Sequence, residues 1–186
     1  MKRLYKLPLL VAVPLLLVFA LSGATATVPP VSNLQHEGAL ANERQLPVLL
    51  FFASTICGYC DQLEEDFLQP MLLSGDYEDK VIIRKLIIDQ GSTIKDFDGN
   101  TVMAGKLSDR YKVFVTPTML FIDGKGRELA ERMVGINTPE LFGGYLEDCI
   151  DTALQQIRQP QDPLSSNSCR LQHPADSPAI FKTAVP

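Results

Sequence analysis

Val48-Leu49-Leu50-Phe51-Phe52-Ala53 is joined by Ser54-Thr55-Ile56 to Cys57-Gly58-Tyr59-Cys60, and Asp61-Gln62-Leu63-Glu64-Glu65-Asp66-Phe67-Leu68 follows directly. The first stretch is continuously apolar, as in a strand covered on both faces. The last reads as a helix that starts at the cysteine tetrad. Two thiols at this spacing, where a strand end feeds a helix start, are placed for electron exchange. The first turn of a helix carries unpaired N–H groups and the positive end of the dipole, so a thiolate there is stabilised. Thiolate is the reactive form of cysteine, and thiols in such motifs ionise well below the free-thiol pKa of about 8.5. The pattern points to thiol–disulfide exchange, with Cys57 as nucleophile at the exposed mouth of the helix. Cys60, one turn deeper, is the resolving thiol. A permanent staple is the competing reading, but a two-residue gap closes a very small loop and constrains an unfolded chain little.

Working outward, the helix is expected to end near Pro70, because a residue before proline is pushed out of the helical region. Val81 to Asp89 is rich in β-branched residues and reads as a second strand. Strand, helix, strand in this order is a parallel crossover, right-handed in nearly all folds. Gln90 to Val102 reads as a long loop, and Ala104 to Lys112 as a short helix with Leu107 and Tyr111 on one face. Thr118 to Ile122 is a third strand. Asp123-Gly124-Lys125-Gly126 supplies turn chemistry, and Arg127 to Val134 is expected to return as a fourth strand. Thr138-Pro139-Glu140 predicts the start of a last helix, with threonine as cap and proline in the first helical position. The element order β-α-β-α-β-β-α predicts an α/β fold with a central mixed four-stranded sheet flanked by helices.

Thr116-Pro117 stands just before the third strand, where a proline avoids a lost ladder bond. Composition alone favours a plain trans turn, since cis occurs at only about 5–6% of X–Pro bonds in folded proteins. A cis bond would leave the threonine backbone free to pair with a substrate strand beside the thiols.

At the chain ends, Met1 to Lys6 is basic, Leu7 to about Leu21 is apolar, and Ala24-Thr25-Ala26 follows. This reads as a cleavable secretory signal peptide over residues 1–26. A membrane anchor is the alternative, disfavoured by the shortness of the apolar stretch and by Pro8 and Pro14. Residues 27–45 read as an N-terminal leader, with a short helix expected between Asn33 and Gln45. Residues 46–158 form the folded domain, and 159–186 a flexible tail rich in proline, serine and polar residues. The chain has 186 residues and a net charge of −5. It has no basic stripe to neutralise phosphates, so nucleic acid is excluded as a partner. Export suits disulfide chemistry, which persists where no glutathione pool keeps thiols reduced. Four cysteines allow three full pairings, and the motif favours Cys57 with Cys60. Cys149, on the apolar stripe of the last helix, is then an inert buried thiol or a partner for Cys169. Cys169 is otherwise an exposed thiol able to capture partners.

The stretch Pro47 to Ile157 resembles the thioredoxin superfamily: strand, Cys57-Gly58-Tyr59-Cys60, helix, Thr116-Pro117, hairpin and terminal helix. Within it, Phe97-Asp98-Gly99, Leu107 to Val113, Gly124 to Glu128, Val134-Gly135 and Pro139 to Phe142 resemble periplasmic thioredoxin-like proteins found with bacterial sulfur-oxidation systems. The tetrad with threonine before the proline is also similar to the bacterial disulfide isomerases. The resemblance implies a thioredoxin-like fold, a cis Thr116–Pro117 bond, an attacking Cys57 and a resolving Cys60. It also implies substrate contacts at Gly58, Tyr59, Thr116 and Pro117. Three departures stand out: Ile56 and Tyr59 replace the tryptophan and proline usual in thioredoxins, and Phe51 occupies the place of their buried acid. Water, Glu64 or Lys85 is left to accept the Cys60 proton.

The expected activity is thus a periplasmic oxidoreductase that reduces or isomerises disulfides in exported proteins. It needs a membrane thiol electron donor and no cofactor, and acts as a monomer. A dithiol oxidant and a redox-inert adaptor are the alternatives, and the presence of both cysteines counts against the adaptor. Cys57 and Cys60 with Cys169 and His173 formally resemble a zinc ligand set. The second pair lies in the proline-rich tail, so no metal site is expected.

Overall fold

The computed structural model describes residues 26–159. Its elements, in chain order, are α1 (Leu34–Arg44), β1 (Val48–Ala53), α2 (Gly58–Leu63), a π-helical turn (Glu64–Leu68), α3 (Gln69–Ser74) and β2 (Ile82–Ile87). Then come β3 (Thr93–Lys95), β4 (Thr101–Met103), α4 (Ala104–Arg110), β5 (Thr118–Ile122), β6 (Met133–Val134) and α5 (Pro139–Arg158). The main sheet has the order β2-β1-β5-β6. β1 runs parallel to β2 and antiparallel to β5, and β5 is antiparallel to β6. This is the mixed four-stranded α/β sheet that the element order predicts.

β1 is buried along its whole length because each of its faces meets a different layer. Leu49, Phe51 and Ala53 pack with Cys60, Leu63, Phe142, Leu146 and Ile150, under α2 and α5. Val48, Leu50 and Phe52 pack with Leu34, Ala41, Ala104 and Leu107, under α1 and α4. Burying each phenylalanine contributes on the order of 1.5–3 kcal/mol, so this central strand fixes the height at which the following loop leaves the sheet. The stretch 27–45, read as a leader, carries α1. Asn33 caps it, accepting from the His36 N–H at 3.1 Å. Ahead of α1, Pro29 and Val31 pair with both backbone groups of Lys85 on the β2 edge.

Four local expectations are corrected. The helix after the tetrad does not end near Pro70 but continues to Ser74. The π turn makes the difference: Gln69 N–H bonds back five residues to the Glu64 carbonyl, and Pro70 enters a new first turn where no N–H is needed. The segment 90–102 is a small hairpin, β3 with β4. The Asp96 carboxylate closes its turn by accepting from Asp98 N–H and Asn100 N–H, and Arg110 binds its other oxygen at 3.0 Å. Pairing with β5 is interrupted between Glu128 and Met133, so the fourth strand shrinks to Met133–Val134. Within this gap the Arg132 guanidinium donates to the Tyr111 carbonyl at 2.9 Å. Thr138 makes no side-chain cap; its φ is 49°, and its carbonyl accepts from Leu141 N–H to open α5.

Cys149 is buried on α5 and is disulfide-bonded, which overturns its reading as an inert thiol. Cys169, His173, residues 1–25 of the expected signal peptide and residues 160–186 of the expected tail lie outside the described residues. Among the described residues no helix is long and apolar enough to cross a membrane.

Candidate functional site

β1 ends at Ala53, and its neighbours on both sides hold the loop that follows. On the β2 side, Ala53 pairs with Ile87, so two residues further along the parallel register bring Thr55 to Asp89. The Asp89 carboxylate accepts from Thr55 N–H at 2.9 and 3.1 Å and from the Thr55 hydroxyl at 2.6 Å. The hydroxyl bond first, and the backbone bond second, hold the Asp89 carboxyl below the usual carboxylate range. A depressed folded-state pKa means stabilisation that is present above the unfolded value of about 3.9 and lost as pH falls through the folded one. Asp89→Asn is therefore expected to lower the urea midpoint at neutral pH. The gap to the wild type should begin to close as pH drops below about 4, where the unfolded carboxylate takes up its proton. It should finish closing below the depressed folded-state value, where the native carboxylate is neutralised too. A gap that stays constant down to strong acid would show that the charge of Asp89 does not hold this loop.

Cys57 is the N-cap of α2, with extended backbone at φ −147°, and its carbonyl takes the first N–H groups of the helix, from Cys60 and Asp61. Its sulfur accepts from Cys60 N–H at 3.2 Å. α2, the π turn and α3 follow without a break from Gly58 to Ser74, so the dipole behind this cap is longer than α2 alone. Cys57 and Cys60 are joined as a disulfide, with Cα atoms 5.2 Å apart. Cys57 is half-buried, whereas Cys60 is only 4% exposed and belongs to the core under α2 and α5.

Opposite the disulfide lies the loop before β5. The Thr116–Pro117 bond is cis, as the family resemblance implies and composition does not. Thr116 Oγ1 is 3.5 Å from Cys57 Sγ and 3.3 Å from Ser54 Oγ. Two bonds pin the loop in place: Gly135 N–H to the Pro117 carbonyl at 2.8 Å, and the Thr118 hydroxyl to the Val115 carbonyl at 2.8 Å. Around the sulfurs, Ile56 (95% exposed), Tyr59, Phe114 (78% exposed) and Val115 all stand in solvent. A Cβ built on Gly58 would meet only open space. The structure thus gathers Cys57, Cys60, Gly58, Tyr59, Thr116 and Pro117 into one area, with an apolar rim.

Beside Phe51, which stands where the family resemblance implies a buried acid, lies an ion pair. Phe51 pairs across the ladder with Lys85, and Lys85 Nζ meets Glu64 Oε2 at 2.5 Å. Glu64 Oε1 accepts from Val28 N–H at 2.9 Å. Glu64 and Lys85, both candidates for accepting the Cys60 proton, are thus paired with each other, and Glu64 also with the Val28 backbone. Ser54 and Asp89 were not singled out from the sequence. The available signal was register: once β1 is set against β2 and β5, continuing each ladder by two residues finds Asp89 and pairs Ser54 with Thr116. Among the described residues, no cluster of His, Cys, Asp or Glu could hold a metal ion.

The family profile described as a thioredoxin-like domain matches residues 34–150. A search of curated proteins finds no match to the chain. Solved structures with a similar fold include a thioredoxin from Nicotiana alata, 21% identical with a TM-score of 0.44, covering 67% of this chain and 97% of its own. Thioredoxin h4 of poplar is 20% identical with a TM-score of 0.44, covering 63% and 94%. The thioredoxin Mala s 13 of Malassezia sympodialis is 16% identical with a TM-score of 0.47, covering 72% and 98%. With the profile spanning most of the chain and the Cys57–Cys60 disulfide at the head of its helix, the protein belongs to the thioredoxin-like domain family and is a thiol–disulfide oxidoreductase.

Proposed function

We propose that the protein works in the periplasm after removal of residues 1–26, as a monomer that reduces or isomerises disulfides of exported proteins. The finer likeness to the sulfur-oxidation-associated group and to the disulfide isomerases supports this reading. The observation that carries it is the asymmetry of the two sulfurs, Cys57 half-buried at the helix cap and Cys60 in the core. Cys57 thiolate attacks a substrate disulfide, one S–S bond breaks as a mixed disulfide forms, and the released substrate thiolate takes a proton from water. Cys60 then gives up its proton and attacks Cys57, which regenerates the internal disulfide and releases the second substrate thiolate. Two electrons have passed to the substrate, and a membrane-borne dithiol returns them. In isomerisation the substrate's own thiol expels Cys57 first, and no net electrons move.

The apolar rim of Ile56, Tyr59, Phe114 and Val115 suits extended, apolar segments around a substrate cysteine. Gly58, Tyr59, Thr116 and Pro117 line the approach. Cys60→Ser, expressed with residues 1–26 in place in a Gram-negative host, is expected to accumulate mixed disulfides through Cys57 with exported proteins. Their absence from the periplasmic fraction would remove the proposal. Titration of the wild type against glutathione separates the directions: a potential near about −270 mV fits a reductase, and one near about −120 mV an oxidant.

A further inference from the structure

Ser54 leaves β1 one residue after Ala53, and Thr116 precedes the proline that leads into β5. Phe52 pairs with Thr118 in the antiparallel ladder, so the same register sets Ser54 against Thr116 two residues beyond it. Their hydroxyl oxygens are 3.3 Å apart, and Thr116 Oγ1 reaches Cys57 Sγ at 3.5 Å. A hydroxyl has one proton and two lone pairs. If the Thr116 proton points at sulfur, Thr116 can only accept from Ser54, so the donor order is Ser54 to Thr116 to Cys57. In such a chain each bond polarises the next. Both hydroxyls are half-buried, which limits competition from water.

We propose that Ser54 is a positioning residue for the reactive sulfur: its hydroxyl orients and polarises that of Thr116, which then donates to the Cys57 thiolate. The inference rests on the reading of Cys57 as the attacking thiol. The effect is differential. A disulfide sulfur and a neutral thiol are weak acceptors, whereas a thiolate is a strong one, so the relay favours the charged form. Because the hydroxyls already stand in line beside the disulfide, reduction brings the anion into existing donors.

The test is the pH dependence of iodoacetamide alkylation in the fully reduced full chain, with each cysteine followed separately by mass spectrometry. Thr116→Val is expected to raise the apparent pKa of Cys57 by about one unit. Ser54→Ala should raise it by a few tenths of a unit, which is roughly a twofold loss of alkylation rate below the pKa. In the Thr116→Val background Ser54→Ala should have no further effect, because the relay is already cut. Ser54→Thr, which keeps the hydroxyl, should restore the wild-type profile. An unshifted profile for Ser54→Ala, or the same shift with and without the Thr116 hydroxyl, would overturn the proposal. If Cys60 titrates as the acidic thiol in the wild type, the fault lies in the assignment of Cys57 and not in Ser54.

Discussion

Cys57→Ser is expected to reduce insulin-reducing turnover to background, a loss of roughly three orders of magnitude or more, because the nucleophile itself is gone. Serine fits the same N-cap, and its oxygen can accept the Cys60 N–H that the sulfur now receives. What it cannot do is ionise at neutral pH or form a covalent link to a substrate sulfur. The loss should therefore come without loss of fold. Only a very short loop is closed by Cys57 and Cys60, so far-ultraviolet circular dichroism and the urea midpoint should stay close to those of the wild type. Cys60→Ser should behave differently, completing the first attack and stalling on the mixed disulfide. Turnover by Cys57→Ser at even a few per cent of wild type would mean that Cys60 can start the reaction, and the half-buried/core asymmetry would lose its significance.

Those roles were legible because they depend on neighbours in sequence. A continuous apolar run, two thiols and an amphipathic segment state where a strand ends and a helix begins. β1, the helix cap at Cys57 and α5 all follow from that kind of local pattern. The elements that escaped the sequence reading are those that tertiary contacts decide. β3 and β4 are three residues each, and of these only Ile94 is buried, so no period could show. The fourth strand reads as continuous to Val134, yet its ladder is broken between Glu128 and Met133, where the Arg132 side chain ties the segment to the distant Tyr111 carbonyl. Pro70 looks like a stop because a proline normally ends a helix at the preceding residue. A five-residue turn beginning at Glu64 lets the chain absorb it. Ser54 and Asp89 carry no motif, and their partners lie 62 and 34 residues away, so only the paired strands reveal them.

Breaking the Glu64–Lys85 pair from one side is the second large effect to expect. The carboxylate is 11% exposed and the side chain of Lys85 22%, an enclosure to which the strap at residues 28–31 contributes. Removing either partner leaves the other charge largely desolvated and alone. The usual loss for a buried pair is about 3–5 kcal/mol, and the residual exposure of Lys85 places this one nearer the lower end. Glu64→Leu adds a second deficit, because the Val28 N–H loses its acceptor. Lys85→Met leaves that bond in place and isolates the charge effect. The double variant Glu64→Leu/Lys85→Met should be far more stable than the sum of the singles implies, since two apolar side chains can pack where the ions met. Its remaining deficit should be about 1–2 kcal/mol, the penalty of the orphaned Val28 N–H. Urea unfolding of the four proteins completes the cycle and measures the coupling directly. Additive losses would show that the two groups are solvated independently, and that the segment 28–31 along the β2 edge does not seal a charge pair beside Phe51.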